Sequence, residues 1–180
     1  EFIDIAHDVG LVERLSEVLI ARAIDDLRHW VGLGLPEGFR IGLNLPPRFA
    51  SRTARISGLI DLLAASPCRF LTVEVSESSV IDDLNVAAAR LRQLRELGIH
   101  VVLDDFGTGI ASLSLLQRMP LDGVKIDRSF VTDIAHETRD RALVSSFVSL
   151  ASQLGLEVTA EGVETAEQRV ALLELGCRMQ

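Results

Sequence analysis

Five places along this 180-residue chain put a metal-ligating or proton-moving side chain at the end of a short apolar run: Asn44, Glu74, the pair Asp104-Asp105, Lys125 and Glu161. Four carboxylates gathered in one pocket would repel one another strongly. Hard divalent cations such as Mg²⁺ or Mn²⁺ prefer oxygen ligands and would relieve that repulsion, with the amide oxygen of Asn44 as a neutral fifth donor. The adjacency of Asp104 and Asp105 is the informative spacing. A carboxylate at a strand end can bridge two ions while its neighbour, turning at the strand exit, binds the second. Two such ions, roughly 3.5 to 4 Å apart, can activate a water, hold a phosphate and stabilise the oxygen that leaves. Lys125 would add a cation beside the water or the phosphate; a buried ion pair with Asp104 is the competing reading of that side chain.

The elements that must position these residues follow from periodicity. Helices are expected over Leu11 to Val31, Ala50 to Ala65, Ile81 to Leu97, Ile110 to Arg118, Phe130 to Leu154 and Ala166 to Leu175. Strands are expected over Phe39 to Leu45, Phe70 to Val75, His100 to Asp104, Gly123 to Asp127 and Glu157 to Glu161, short and mostly apolar. Leu97-Gly98, Leu154-Gly155 and Leu175-Gly176 read as helix ends closed by a left-handed glycine. Strict alternation of strand and helix points to a parallel sheet covered by helices. In an open doubly wound sheet, polar strand ends gather at a switch point, whereas in a closed barrel every strand end faces one mouth; five contributing strands favour the barrel. The expected fold is therefore α/β, a TIM-type (β/α)8 barrel. A whole barrel takes about 250 residues, so residues 1–180 read as a single domain lacking strands at one or both ends.

Composition narrows the function. A formal net charge of −8 argues against binding long nucleic acid through a general basic field, and an anionic ligand would need a metal or a local cation. No apolar run approaches the roughly 20 residues of a membrane span, and no signal peptide is visible at Glu1-Phe2-Ile3-Asp4. Cys68 and Cys177 are the two cysteines, far apart, which offers no disulfide framework or zinc knuckle and fits a reducing cytoplasm, including the cytoplasmic part of a membrane-bound parent. His7, His29, His100 and His136 share no ligand spacing, and Trp30 reads as core. Thr165 with Gln168 three residues on reads as a capping box. Asp105-Phe106-Gly107-Thr108-Gly109 gives a strand exit in which two glycines let backbone approach a ligand. Asp-Phe-Gly also occurs in protein kinases, but the Gly-rich ATP loop and the His-Arg-Asp loop are missing.

Asn44-Leu45, Glu74-Val75-Ser76-Glu77, Asp104-Asp105-Phe106-Gly107-Thr108-Gly109, Lys125-Ile126-Asp127-Arg128-Ser129-Phe130 and Ala160-Glu161-Gly162-Val163-Glu164-Thr165 together resemble the EAL-domain family, over nearly the whole chain. The resemblance implies a bacterial phosphodiesterase that opens cyclic di-GMP to linear pGpG with Mg²⁺ or Mn²⁺, two ions per site. It implies Asn44, Glu74 and Asp104 as ligands of the first ion, Asp104, Asp105 and Glu161 as ligands of the second, and Lys125 as the lysine that positions the nucleophilic water. Glu77 matches a glutamate that supports the loop after Asp105. A homodimer and fusion to sensory or GGDEF-type domains in a longer parent are implied as well. Ile110 and Ala111 stand where Tyr and Ser are common, Ser76 where Thr is usual, and Pro46 where Ser is common. By the resemblance, the signature Glu-Ala-Leu strand is expected before Glu1 and a substrate-contacting Gln just beyond Gln180, so residues 1–180 are expected to be a single domain incomplete at both ends, lacking its first strand region and its last strand-helix unit. The alternative is an inactive EAL-type receptor or regulatory module that senses cyclic di-GMP without cleaving it.

Overall fold

The structure, a computed structural model, describes residues 11–46, 49, 57–81, 83–108 and 113–177. It comprises two compact units, residues 1–101 and 102–180.

In the first unit, helix α1 (Val12–Leu33) leads to strand β1 (Ile41–Asn44), helix α2 (Ser57–Ala64), a 3₁₀ turn (Cys68–Phe70) and strand β2 (Leu71–Ser76). Helices α3 (Glu77–Ile81) and α4 (Leu84–Glu96) follow. β1 and β2 run parallel, with Ile41 opposite Leu71 and Asn44 opposite Glu74. Strand periodicity sends Leu71, Val73 and Val75 to one face, all fully buried, and Thr72, Glu74 and Ser76 to the other. Ile24, Leu27, Leu63, Leu91 and Leu94 complete the core of this unit, each fully buried.

The helix expected over Ile81 to Leu97 is divided. A short helix begins at Glu77, directly off β2, and Asp83 then breaks the chain: its backbone is extended and its carboxylate caps α4 by accepting from the Val86 N–H at 3.1 Å. Only Ser57–Ala64 of the helix expected from Ala50 is described; residues 50–56 lie outside the described residues. Trp30, expected in the core, is 39% exposed.

Strand β3 (His100–Phe106) begins at the end of the first unit and carries the chain into the second. Helix α5 (Leu113–Arg118), strand β4 (Gly123–Ile126), a 3₁₀ turn (Arg128–Phe130), helix α6 (Thr138–Gln153), strand β5 (Glu157–Ala160) and helix α7 (Ala166–Glu174) follow. β4 runs parallel to both β3 and β5. The core here is Ile126, Val131, Ile134, Val144, Ala160, Ala171, Leu172 and Cys177. Gly109, Ile110, Ala111 and Gln180, all singled out in the sequence, lie outside the described residues.

The helix expected from Phe130 starts instead at Thr138. Asp127 accepts from the Ser129 N–H at 2.9 Å and folds the chain into the 3₁₀ turn, after which the Asp133 carbonyl takes the His136 and Glu137 N–H groups. These local bonds compete with helix propagation. The glycine joints are as expected. Gly98, Gly155 and Gly176 all have positive φ, and the next residues, Ile99, Leu156 and Cys177, donate back to Leu94, Ala151 and Leu172, the long bond of a Schellman closure. No helix among the described residues is long and apolar enough to cross a membrane.

Candidate metal centre

In the second unit, three sequence-singled carboxylates come together. Asp104, Asp105 and Glu161 each offer an oxygen, and the three lie within 4.8 Å of one another. The pairing of β3 with β4 explains how two adjacent aspartates serve one site. Leu103 faces Val124 and Phe106 faces Ile126, so Asp104 and Asp105 together stand opposite the single residue Lys125. This is a β-bulge, which re-aims side chains that a regular strand would send to opposite faces. Asp105 takes a φ of 56° within it, and its N–H donates to Oδ1 of Asp104 at 3.0 Å. The expected strand ended at Asp104 with the turn just beyond; the strand in fact continues through Phe106, and the turn is made inside it.

Lys125 Nζ pairs with Asp104 Oδ1 at 3.4 Å and also with Oε1 of Glu161. The ion pair weighed for Lys125 is therefore present, and it lies within the acidic cluster itself. Glu161 follows β5 directly, and its N–H donates to the Ile126 carbonyl at 3.1 Å, fixing its backbone beside the end of β4. Gly162 holds the next step. With φ of 70°, its Cα sits so close to Arg128 that a methyl there would meet the Arg128 Cβ at 2.6 Å. Farther along, Gln168, 7% exposed, accepts from the Glu164 and Thr165 N–H groups through Oε1 and donates to the Thr132 carbonyl at 2.9 Å. The expected capping box with Thr165 is formed, and the same glutamine ties down the loop after Glu161.

The electrostatics are those of a site short of positive charge. Partial desolvation, felt although much of the residue is exposed, pushes the Asp105 carboxyl above its ordinary range; the charges of Asp104, Asp127 and Glu161 add to this, and Lys125 opposes it. Asp127 moves the other way, held down chiefly by its hydrogen bonds from Ser129. Asp127 was quoted in a motif but given no role by the sequence. Its signal is its place two residues after Lys125, at the exit of β4. Three carboxylates this close, with a carboxyl that resists ionisation, fit a hard divalent cation.

In the first unit, Asn44, the last residue of β1, stands opposite Glu74, which lies two residues before the end of β2 rather than at the strand end the sequence suggests. Glu74 lies across Gly42, where a Cβ would come within 2.5 Å of Oε1. Gly42 was not singled out, and only the pairing of strands reveals that the carboxylate needs its missing side chain. Glu77 opens α3 and is 3% exposed.

A parallel α/β chain with acidic strand ends suited to divalent cations is of the TIM-barrel class, in which strand C-termini carry the chemistry. Comparison with known proteins agrees, and the chain belongs to the EAL domain family, matched over residues 1–180. The cyclic di-GMP phosphodiesterase NbdA of Pseudomonas aeruginosa is 36% identical over 180 residues, covering 99% of this chain and 23% of that protein. The chain thus spans about a quarter of that relative's length. Among solved structures, the PaMucR phosphodiesterase in complex with c-di-GMP superposes with a TM-score of 0.88 at 34% identity, covering 98% of this chain and 72% of the other. The manganese and cy-diGMP complex of Klebsiella pneumoniae BlrP1 gives 0.78 at 32% identity, covering 92% and 42%. The α/β, TIM-type barrel fold expected from the sequence is the fold of this family member, and five of its strands are described.

Proposed function

We propose that this chain forms the catalytic part of a phosphodiesterase that hydrolyses cyclic di-GMP to linear pGpG, with two Mg²⁺ or Mn²⁺ ions. The observation that carries the reading is the gathering of Asp104, Asp105 and Glu161 within 4.8 Å around Lys125. Asn44, Glu74 and Asp104 would hold one ion and Asp104, Asp105 and Glu161 the other. When bound, such ions supply Lewis-acid activation of water and charge stabilisation at the phosphate.

The chain's own residues supply the positioning. The bulge turns Asp104 and Asp105 toward one centre, and Lys125, anchored between Asp104 and Glu161, has ammonium protons to donate to the oxygen of an attacking water. Attack of that oxygen on phosphorus breaks the bond to the bridging 3′ oxygen and opens the ring; the proton the water gives up balances the one the 3′ oxygen takes in leaving as the hydroxyl. Glu77, buried at the start of α3, would support the loop after Asp105. The deciding experiment incubates the full-length protein with cyclic di-GMP and Mn²⁺, with and without chelator, and follows pGpG by chromatography beside ligand affinity by calorimetry. Metal-dependent pGpG formation is expected. Binding without pGpG would instead make the chain a receptor.

A further inference from the structure

The exit of β3 contains two left-handed residues, Asp105 with φ of 56° and Gly107 with φ of 101°. Phe106 between them is 5% exposed. Left-handed backbone is disfavoured for a residue with a Cβ, although Asp tolerates it better than most. The conformation that aims Asp105 must therefore be held by its surroundings.

The holding contacts are aromatic. The Phe106 ring meets Phe147 of α6 edge-on, with centroids 5.1 Å apart, and Phe130 meets the same ring at 5.4 Å. Gly107 lies close to the Phe130 and Phe147 rings as well. A methyl on its Cα would lie 2.9 Å from the Phe130 ring and 3.1 Å from the Phe147 ring. Phe147 thus touches Phe106 and closes against Gly107, the two residues that follow Asp105, and it belongs to a helix that carries none of the acidic residues of the site.

We infer that Phe147 is a positioning residue for the Asp105 carboxylate: its ring seats Phe106 and Gly107, and so keeps the bulge in the geometry that brings Asp105 to Asp104 and Glu161. The inference rests on the reading of Asp105 as a cation ligand. Loss of the ring leaves Phe106 without its seat and lets the backbone at Asp105 relax toward ordinary strand geometry, which turns the carboxylate out of the cluster.

The test measures Mn²⁺ binding to the full-length protein by calorimetry, with melting temperature alongside. Phe147→Ala should weaken the Asp105-dependent binding by about 10-fold or more, as loss of supporting contacts around metal ligands does. Leu172→Ala is the control, since it removes a fully buried side chain from the core of the same unit; it should lower the melting temperature yet leave Mn²⁺ affinity within about two-fold, well below the effect of lost supporting contacts. Phe147→Leu keeps apolar bulk but removes the ring edge that meets Phe106 and should also weaken Mn²⁺ binding, which keeps the inference testable if Phe147→Ala does not fold. Unchanged Mn²⁺ affinity in a folded Phe147→Ala protein, or in Phe147→Leu if that is the one that folds, makes Phe147 a core residue and overturns the proposal. Asp105→Asn separates this from failure of the cation reading: if that variant binds Mn²⁺ as wild type does, the ligand assignment itself is wrong.

Discussion

Replacing Asp105 by Asn keeps the side chain's shape, suits the left-handed backbone and removes one negative charge, so it should stabilise the cation-free protein while weakening its response to cations. The oxygens of Asp104, Asp105 and Glu161 lie within 4.8 Å of one another. Two unit charges at that separation repel by about 1 kcal/mol in water and about 3.5 kcal/mol at a protein-surface dielectric. Asp105 is exposed, so solvent screening makes the lower figure the appropriate one. Two such repulsions, less the attraction to Lys125, leave a net gain of about 1 kcal/mol, or roughly 2–4 °C in melting temperature for a chain of this size. The pH dependence has a definite sign. The Asp105 carboxyl is held above its ordinary range, so the folded state binds that proton more tightly than the unfolded state. The destabilisation is absent below the ordinary carboxylate value, grows as pH rises, and is complete above the raised one. In chelator, the wild type should therefore lose stability relative to Asp105→Asn across that window. Added Mn²⁺ should reverse the order, because binding to the folded state alone stabilises it by mass action. Thermal melts of both proteins across acid and neutral pH, in chelator and in Mn²⁺, make the comparison. A variant less stable than wild type in chelator, or an equal gain of both in Mn²⁺, refutes the reasoning.

Lys125→Ala should lower turnover by about 100-fold, the scale of losing a group that positions the nucleophile, with Mn²⁺ binding by calorimetry largely kept; near-normal turnover would confine Lys125 to its ion pairs. Gly42→Ala should fold, because the atom it strikes is the carboxylate oxygen at the far end of the Glu74 side chain and not backbone, but displace that carboxylate and weaken Mn²⁺ binding about 10-fold; unchanged affinity would remove Glu74 from the ligand set. Gln168→Ala should cost about 2–3 kcal/mol in denaturant unfolding, since the Glu164 and Thr165 N–H groups and the Thr132 carbonyl all lose their partner, and a loss under about 0.5 kcal/mol would show that solvent replaces it.

The strands were legible because each is a short run of apolar and β-branched residues between glycine or polar breaks, and among the polar residues that follow those runs are Asp104, Asp105, Lys125 and Glu161, which the structure brings together. Boundaries failed where local hydrogen bonds, from the side chains of Asp83 and Asp127 and the carbonyl of Asp133, captured the backbone. Asp83 divides the helix expected over Ile81 to Leu97, and Asp127 with Asp133 delays α6 to Thr138; such local bonds leave no mark on hydrophobic period. The acidic pair was legible as a pair, but the bulge that unites it depends on β4, and a pattern read along one strand does not contain its neighbour. The same holds for Gly42, whose need for an absent side chain comes from Glu74 on the next strand, and for Phe147, whose contacts lie with Phe106 and Phe130 on earlier elements. Trp30 was misplaced because a large aromatic on an amphipathic helix is normally covered, whereas here it lies 39% exposed.

The bulge in β3 also bears on how such a centre can be gained or lost. Regular pairing resumes at Phe106 opposite Ile126, so the extra residue is absorbed between two intact rungs of the ladder. Deleting one aspartate would close the ladder over the gap and leave the register on either side unchanged. The pairing of the two acids thus rests on a single extra residue in β3: without it one aspartate would stand opposite Lys125 and the cluster would keep only that acid and Glu161.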